Sequence, residues 1–289
     1  PQVIEIKTVR QRLKSQKNRT RSVDVATQAS RLRYTADYLE FLSNYFGTDL
    51  LDEQRARLRD ATNQGLRSLL AHVPRVSRRD KPDARRGLSI EDQNRLMAVI
   101  EPDSPDNPWK RGFVRQRNWV IVVLLLATGM RRGELLGLQI GDLKPDSAKL
   151  LVVRRADSPS DARLAQQVAK TNARELELRP SLMRAVWEYV KARRNIKAAR
   201  QIPQLIVSDE GKALSSQSIT KLFSDIRQVC PDLPGRLTSH VMRHTWNERF
   251  SEQAERMQLT DAVEEKARNE QQGWADNSKA AQTYTRRYT

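Results

Sequence analysis

The 289 residues include 52 Lys and Arg against 35 Asp and Glu, a formal net charge of +17, so a polyanion is the natural partner, ahead of a membrane surface or mere solubility. A hydrophobic share of 38% with only 6% aromatics fits a helix-rich globular protein and excludes disorder throughout. The single cysteine, Cys230, excludes an intrachain disulfide and any zinc site of several cysteines, and it suits a reducing cytoplasm.

The excess of basic residues is not confined to one tail: residues 1–88 carry 19 Lys and Arg against 10 Asp and Glu, and the remainder 33 against 25. Residues 1–21, with Lys7, Arg10, Arg12, Lys14, Lys17, Arg19 and Arg21, read as a basic arm, and no charged segment leads into an apolar stretch as in a secretory signal. Apolar residues then recur at helical spacing from Val23 to Phe46, with Gly47 as a stop, and a second helix is predicted from Leu51 to His72. This makes residues 1–73 a small helical domain. Residues 74–87 (PRVSRRDKPDARRG) hold two prolines, a glycine and six basic residues with almost nothing apolar, which is the composition of a linker. Its Arg75, Arg78, Arg79, Lys81, Arg85 and Arg86 are candidate contacts to a polyanion.

The second domain, 88–289, opens at Ser89, three residues before Asp92 and close to a capping-box pattern. Residues 113–128 read as a buried helix ended by Gly129, with a further helical segment over 131–138. Within it the longest apolar run, Trp119 to Ala127, is nine residues, well short of the roughly 20 that cross a bilayer. Residues 149–154 and the alternating 173–178 predict a small antiparallel sheet, with Lys170 near a hairpin. A long helix is expected from Pro180 to about Ala199, a short strand over 205–207, and helices over 215–229, 237–251, 260–272 and 277–286. The fold class is mainly α with a small antiparallel β-sheet.

Three local features carry chemistry. In ATGMRRGELL (127–136), Gly129 ends one helix and Arg131 stands at the turn before the next, where it either projects a guanidinium from a rigid base or simply solvates a helix start. In HVMRH (240–244), His240 and Arg243 are three residues apart and share a helical face, while His244 reads as a structural histidine. A metal site there is a weak reading, because Val241 stands where HExxH has its glutamate. The last feature is GWADNSKAAQTYTRRYT, with Trp274, Tyr284 and Tyr288.

Taken in order, Arg131, His240, Arg243, Trp274 and Tyr284 resemble the catalytic series of the tyrosine recombinase (phage integrase) family, and the resemblance covers the whole second domain. ATGMRRGELLGL looks like that family's ATGLRxSELLxL, HVMRHTW like its HxLRHTF, and QTYT like its QxYT around the nucleophile. Lys170 resembles the family's β-hairpin lysine, and Glu134 its acidic position, which orients catalytic side chains without touching phosphate. Trp274 stands where most members have His; an indole donates a hydrogen bond but transfers no proton. Tyr284 follows Trp274 by ten residues, one more than is common, and its QTYT context favours it over Tyr288.

The resemblance implies a helical core-binding domain beside a catalytic domain, clamped on duplex DNA. It implies attack by the tyrosine on a phosphodiester, a 3′-phosphotyrosyl intermediate, and no metal or nucleotide cofactor. Double-stranded recombination sites, a homo-tetramer on synapsed DNA, accessory DNA-bending or directionality proteins, and a cytoplasmic, nucleoid-associated location follow as expectations, with no membrane partner. The competing readings are a type IB topoisomerase, which uses similar chemistry without a partner site, and a DNA-binding regulator that has lost catalysis.

Overall fold

The computed structural model describes residues 23–75, 87–155, 161–163, 166, 171–235, 237–275, 278 and 280–281. The chain divides into two compact units, Pro1–Pro82 and Asp83–Thr289, a division that falls inside the basic segment 74–87.

The described part of the first unit is a helical hairpin of α1 (Val25–Gly47) and α2 (Asp52–Ala71). The Asp24 side chain caps α1 by accepting from the Thr27 amide. Arg55 closes the connection: its Nε donates to the Gly47 carbonyl at 2.8 Å and its Nη2 to that of Leu50 at 3.0 Å, satisfying backbone acceptors that the end of α1 leaves over. Only Ala29, Ala36 and Gly47 are fully buried in α1, and no residue of α2 is.

The second unit is built around α4 (Gly112–Thr128), which is apolar on nearly all sides and buries Val120, Ile121, Val122, Leu124, Leu125 and Leu126. Packed with it are α3 (Ile90–Ile100), capped by Ser89 through the Asp92 amide, and the short α5 (Arg132–Gly137). A three-stranded antiparallel sheet follows, β1 (Leu143–Lys144), β2 (Lys149–Val152) and β3 (Arg174–Glu177), with β2 central and Leu150 paired with both Leu143 and Leu176. Then come α6 (Pro180–Arg193), α7 (Ser216–Val229), α8 (Ser239–Arg256) and α9 (Asp261–Gln272). Among the described residues no helix is long and apolar enough to cross a membrane.

Two expectations need correction. The helix from Pro180 stops at Arg193, and residues Lys197–Gln201 form a separate 3-10 turn. The buried Arg193 guanidinium donates to the carbonyls of Ala199 (2.8 Å) and Ile202 (3.2 Å), folding the chain back after the helix. Residues 205–207 are not a strand: the Leu205 amide bonds Leu138, and Ile206 accepts from Leu214, so their backbone needs are met by irregular neighbours with only isolated bridges at Gln204 and Val207. The two-residue β1 was not anticipated, being too short to show alternation. Lys170 and most of the helix expected over 277–286 lie outside the described residues.

Candidate active site

The site begins at the end of α4. Gly129 adopts φ +62, and a Cβ there would sit 2.8 Å from the Trp246 ring, so a side chain at this turn is excluded both by conformation and by space. The carbonyl of Gly129 accepts from Arg243 Nη1 at 2.7 Å. Two residues on, Arg131 is the N-cap of α5, and its backbone N–H donates to Glu134 Oε2 at 2.9 Å. One tight turn therefore carries the first arginine and holds the second.

Arg243 lies on the first turns of α8, which is capped by Thr238, whose hydroxyl accepts from the Val241 amide. The Arg243 side chain is buried, and its guanidinium carbon stands 5.1 Å from the centre of the Trp274 ring, within cation–π range. His240 is exposed one turn earlier. The buried His244 meets it edge to face, ring centres 4.5 Å apart.

Trp274 follows α9, which is fastened to α8 by the wholly buried Arg268. That guanidinium donates to the Asn247 carbonyl at 3.0 Å and to Ser251 Oγ at 2.6 Å, and pairs with Glu264. α9 ends in Gly273 at φ +64, and the Trp274 amide bonds the Asn269 carbonyl at 2.9 Å. Gln272 Nε2 donates to the Thr128 carbonyl at 3.4 Å, tying this end to the α4 turn.

Glu134 is the electrostatic centre. Its carboxylate accepts from Arg131 N, from Thr171 Oγ1 at 2.5 Å and from Arg174 Nη2 at 2.8 Å, and it stands 3.5 Å from Arg131 Nη1. Burial alone would raise its pKa. The Arg174 hydrogen bond and charge, then Thr171 and the Arg131 amide, outweigh that and hold it below the ordinary carboxylate range. With the carboxylate ionised, Arg131 keeps a side chain that is 38% exposed and so open to a ligand.

The structure thus brings Arg131, Glu134, Arg243 and Trp274 into one bonded assembly, with His240 and His244 on the helix that supplies Arg243. Lys170, Tyr284, Tyr288, Arg78, Arg79, Lys81, Arg85 and Arg86 lie outside the described residues. Arg75 is exposed just beyond α2, in the other unit.

Residues 87–289 match the phage integrase family, 203 of the 289 positions. The chain belongs to this family of tyrosine recombinases. Its fold is also that of solved structures. The Tn1549 transposon integrase in complex with a circular intermediate DNA is 16% identical at a TM-score of 0.56, covering 97% of this chain and 90% of that one. The XerH site-specific recombinase bound to a palindromic difH substrate is 18% identical at 0.55, covering 92% of this chain and 70% of that one. No curated protein matches in sequence.

Within this recombinase, sequence reasoning missed Thr171, Arg174 and Gln272. Arg174 had a signal: in the alternating 173–178 run it shares the parity of Leu176, so an arginine occupies the inward face of a strand, where a charge persists only if paired. Thr171 and Gln272 had none, since short polar residues beside turns are ordinary.

Proposed function

We infer that this tyrosine recombinase is a site-specific DNA-joining enzyme in which Arg131 and Arg243 hold the nonbridging oxygens of a scissile phosphodiester while Tyr284 attacks phosphorus. The observation that carries this is the 2.7 Å bond from Arg243 to the carbonyl of Gly129, two residues before Arg131, which ties the Arg243 guanidinium to the turn that carries Arg131. Charge grows on those oxygens as the pentavalent state forms, and preorganised cations in a dry setting stabilise it far more than water does. The phenolic oxygen of Tyr284 bonds to phosphorus, the bond from phosphorus to the 5′ oxygen breaks, and a 3′-phosphotyrosyl ester remains. Lys170 gives the departing 5′ oxygen its proton, and His240 takes the phenolic proton. Trp274 positions Arg243 and the phosphate by its ring face and indole N–H. The reverse attack, by the 5′ hydroxyl of a second duplex, completes exchange without loss of bond energy.

The DNA is double-stranded, gripped by the first unit as a core-binding domain and by the basic residues of 74–87, in a tetramer that synapses two sites; accessory bending or directionality proteins act on that assembly. Integration, excision or resolution of a mobile element is the outcome this chemistry serves. The net charge of +17 supports phosphate-dominated affinity that weakens steeply with salt.

The test is covalent capture. The full chain is incubated with a randomised pool of nicked duplexes, denatured, and the DNA that stays attached is recovered and sequenced. A discrete set of sequences joined through a 3′ phosphate to Tyr284 is expected, with Tyr284→Phe forming no adduct and Tyr288→Phe forming it normally. Adduct formation by Tyr284→Phe would overturn the assignment of the nucleophile, and the absence of any adduct from the unaltered chain would overturn the activity.

A further inference from the structure

We propose that Arg174 is a positioning residue for Arg131, acting through the Glu134 carboxylate; the inference rests on the reading of Arg131 as a phosphate-holding group. Arg174 lies on β3, buried on the inward face opposite Val152. Each of its three nitrogens is engaged. Nη2 donates to Glu134 Oε2 at 2.8 Å, Nη1 to Thr171 Oγ1 at 3.2 Å with Glu134 Oε1 at 3.5 Å, and Nε to the Gln271 carbonyl at 2.8 Å. The glycine that turns the chain from α9 to Trp274 leaves it room, because a Cβ on Gly273 would stand 2.8 Å from Nη1.

Arg174 and Arg131 compete for one carboxylate. Glu134 Oε2 is shared by Arg174 Nη2 and by the backbone N–H of Arg131, while Oε1 stands 3.5 Å from the Arg131 guanidinium. A buried carboxylate without Arg174 would have Arg131 as its nearest cation, and the attraction between unit charges rises sharply as the surroundings dry out. It would draw Arg131 inward, shortening that long contact and removing the guanidinium from an incoming phosphate. With Arg174 matching the charge from behind, Glu134 fixes the Arg131 backbone and leaves its side chain free to reach outward. Arg174 touches no reacting atom in this scheme. The Gln271 bond adds a second consequence: the turn that presents Trp274 and the turn that presents Arg131 are referenced to the same guanidinium.

A plain structural staple would also be buried and bonded, so the test is a double-mutant cycle on adduct formation, using the full chain and the nicked duplex recovered by covalent capture. Arg174→Met is expected to slow adduct formation about 100-fold, the scale of a misplacement near 1 Å. On an Arg131→Ala background the same substitution is expected to slow it no further, since residues acting as one unit are not additive. A wild-type rate for Arg174→Met, or a loss that multiplies in full on the Arg131→Ala background, overturns the proposal. Failure of the underlying reading looks different: Arg131→Ala would itself react at the wild-type rate. Where Arg174→Met does not give a cooperative thermal melt, Arg174→Lys takes its place in the cycle. It keeps a counter-charge for Glu134 but not the planar fork that spans Glu134, Thr171 and Gln271, so a smaller loss than for Arg174→Met is expected, with the same absence of any further loss on the Arg131→Ala background.

Discussion

In the α1–α2 hairpin the fully buried positions are small residues and the aromatic ones face outward, whereas around α4 the large ones are buried and even charged groups are taken inside. Tyr34, Tyr38, Phe41, Tyr45 and Phe46 are all more than half exposed, and the fully buried residues of α1 are Ala29, Ala36 and Gly47. In the second unit Leu124, Leu125, Met130 and Leu135 are fully buried, and Glu134, Arg174, Arg243 and Arg268 are sealed among such residues. The difference teaches where reactive geometry can be built. A guanidinium that must meet a phosphate oxygen to within tenths of an ångström needs neighbours whose rotamers are fixed by packing, and the second unit supplies them. Side chains on the hairpin keep their solvent and much of their rotamer freedom, which suits contacts that adjust.

The largest effect that would sharpen this contrast is expected at Glu134. Glu134→Gln leaves Arg174 buried without its counter-charge, and breaking a buried pair from one side costs on the order of 3–5 kcal/mol. Denaturant melts of the second unit's tryptophan fluorescence measure it. The pH dependence follows from the sign of the shift. Glu134 is held below the ordinary glutamate value, so its contribution is complete above that value and is lost as pH falls through the lower value of the folded state. The gap between wild type and Glu134→Gln should therefore be full at neutral pH and close only in acid. A gap that is small at pH 7 would mean that the buried charges are less sheltered than the packing implies.

A smaller effect is expected inside the hairpin. Ala36 is 4% exposed on α1, and Ala36→Leu adds three heavy atoms at a position that is already closed. Overpacking of this kind costs typically 1–3 kcal/mol. Faster hydrogen exchange of the α1 and α2 amides, with the second unit's amides unchanged, is the expected result.

How far these features could be read in advance depends on the range of the interaction that makes them. The span of α4 was readable, because its apolar run and the Gly129 that ends it are neighbours in the chain, and α1 was readable to within a residue or two, although it runs through Gly47 and ends at Thr48. The early end of α6 was not, since it depends on Arg193 reaching carbonyls six and nine residues ahead. The same division runs through the site. Arg131 and Arg243 were singled out from their own motifs. The bonds that relate them, from Arg243 to Gly129 and from Arg174 to Glu134, span 114 and 40 residues, and no local pattern encodes them.

The smallest effect is expected on the aromatic face of α1, and it tests the contrast from the other side. Tyr38 and Phe41 stack with ring centres 6.5 Å apart and Phe41 and Tyr45 with 6.1 Å, yet the Phe41 ring is 58% exposed. Phe41→Ala gives up some of that stacking, worth about 0.5–1.5 kcal/mol per pair where rings are buried and less in water. It also removes a side chain with poorer helix propensity than alanine, which returns a few tenths of a kcal/mol. The two terms nearly cancel, so stability should change by less than about 0.5 kcal/mol. Hydrogen exchange of the α1 amides compared directly with Ala36→Leu decides it. If Phe41→Ala loosened α1 as much as Ala36→Leu does, the aromatic ladder would have to be a structural part of the hairpin, and the outward-facing arrangement would carry stability that its exposure does not account for.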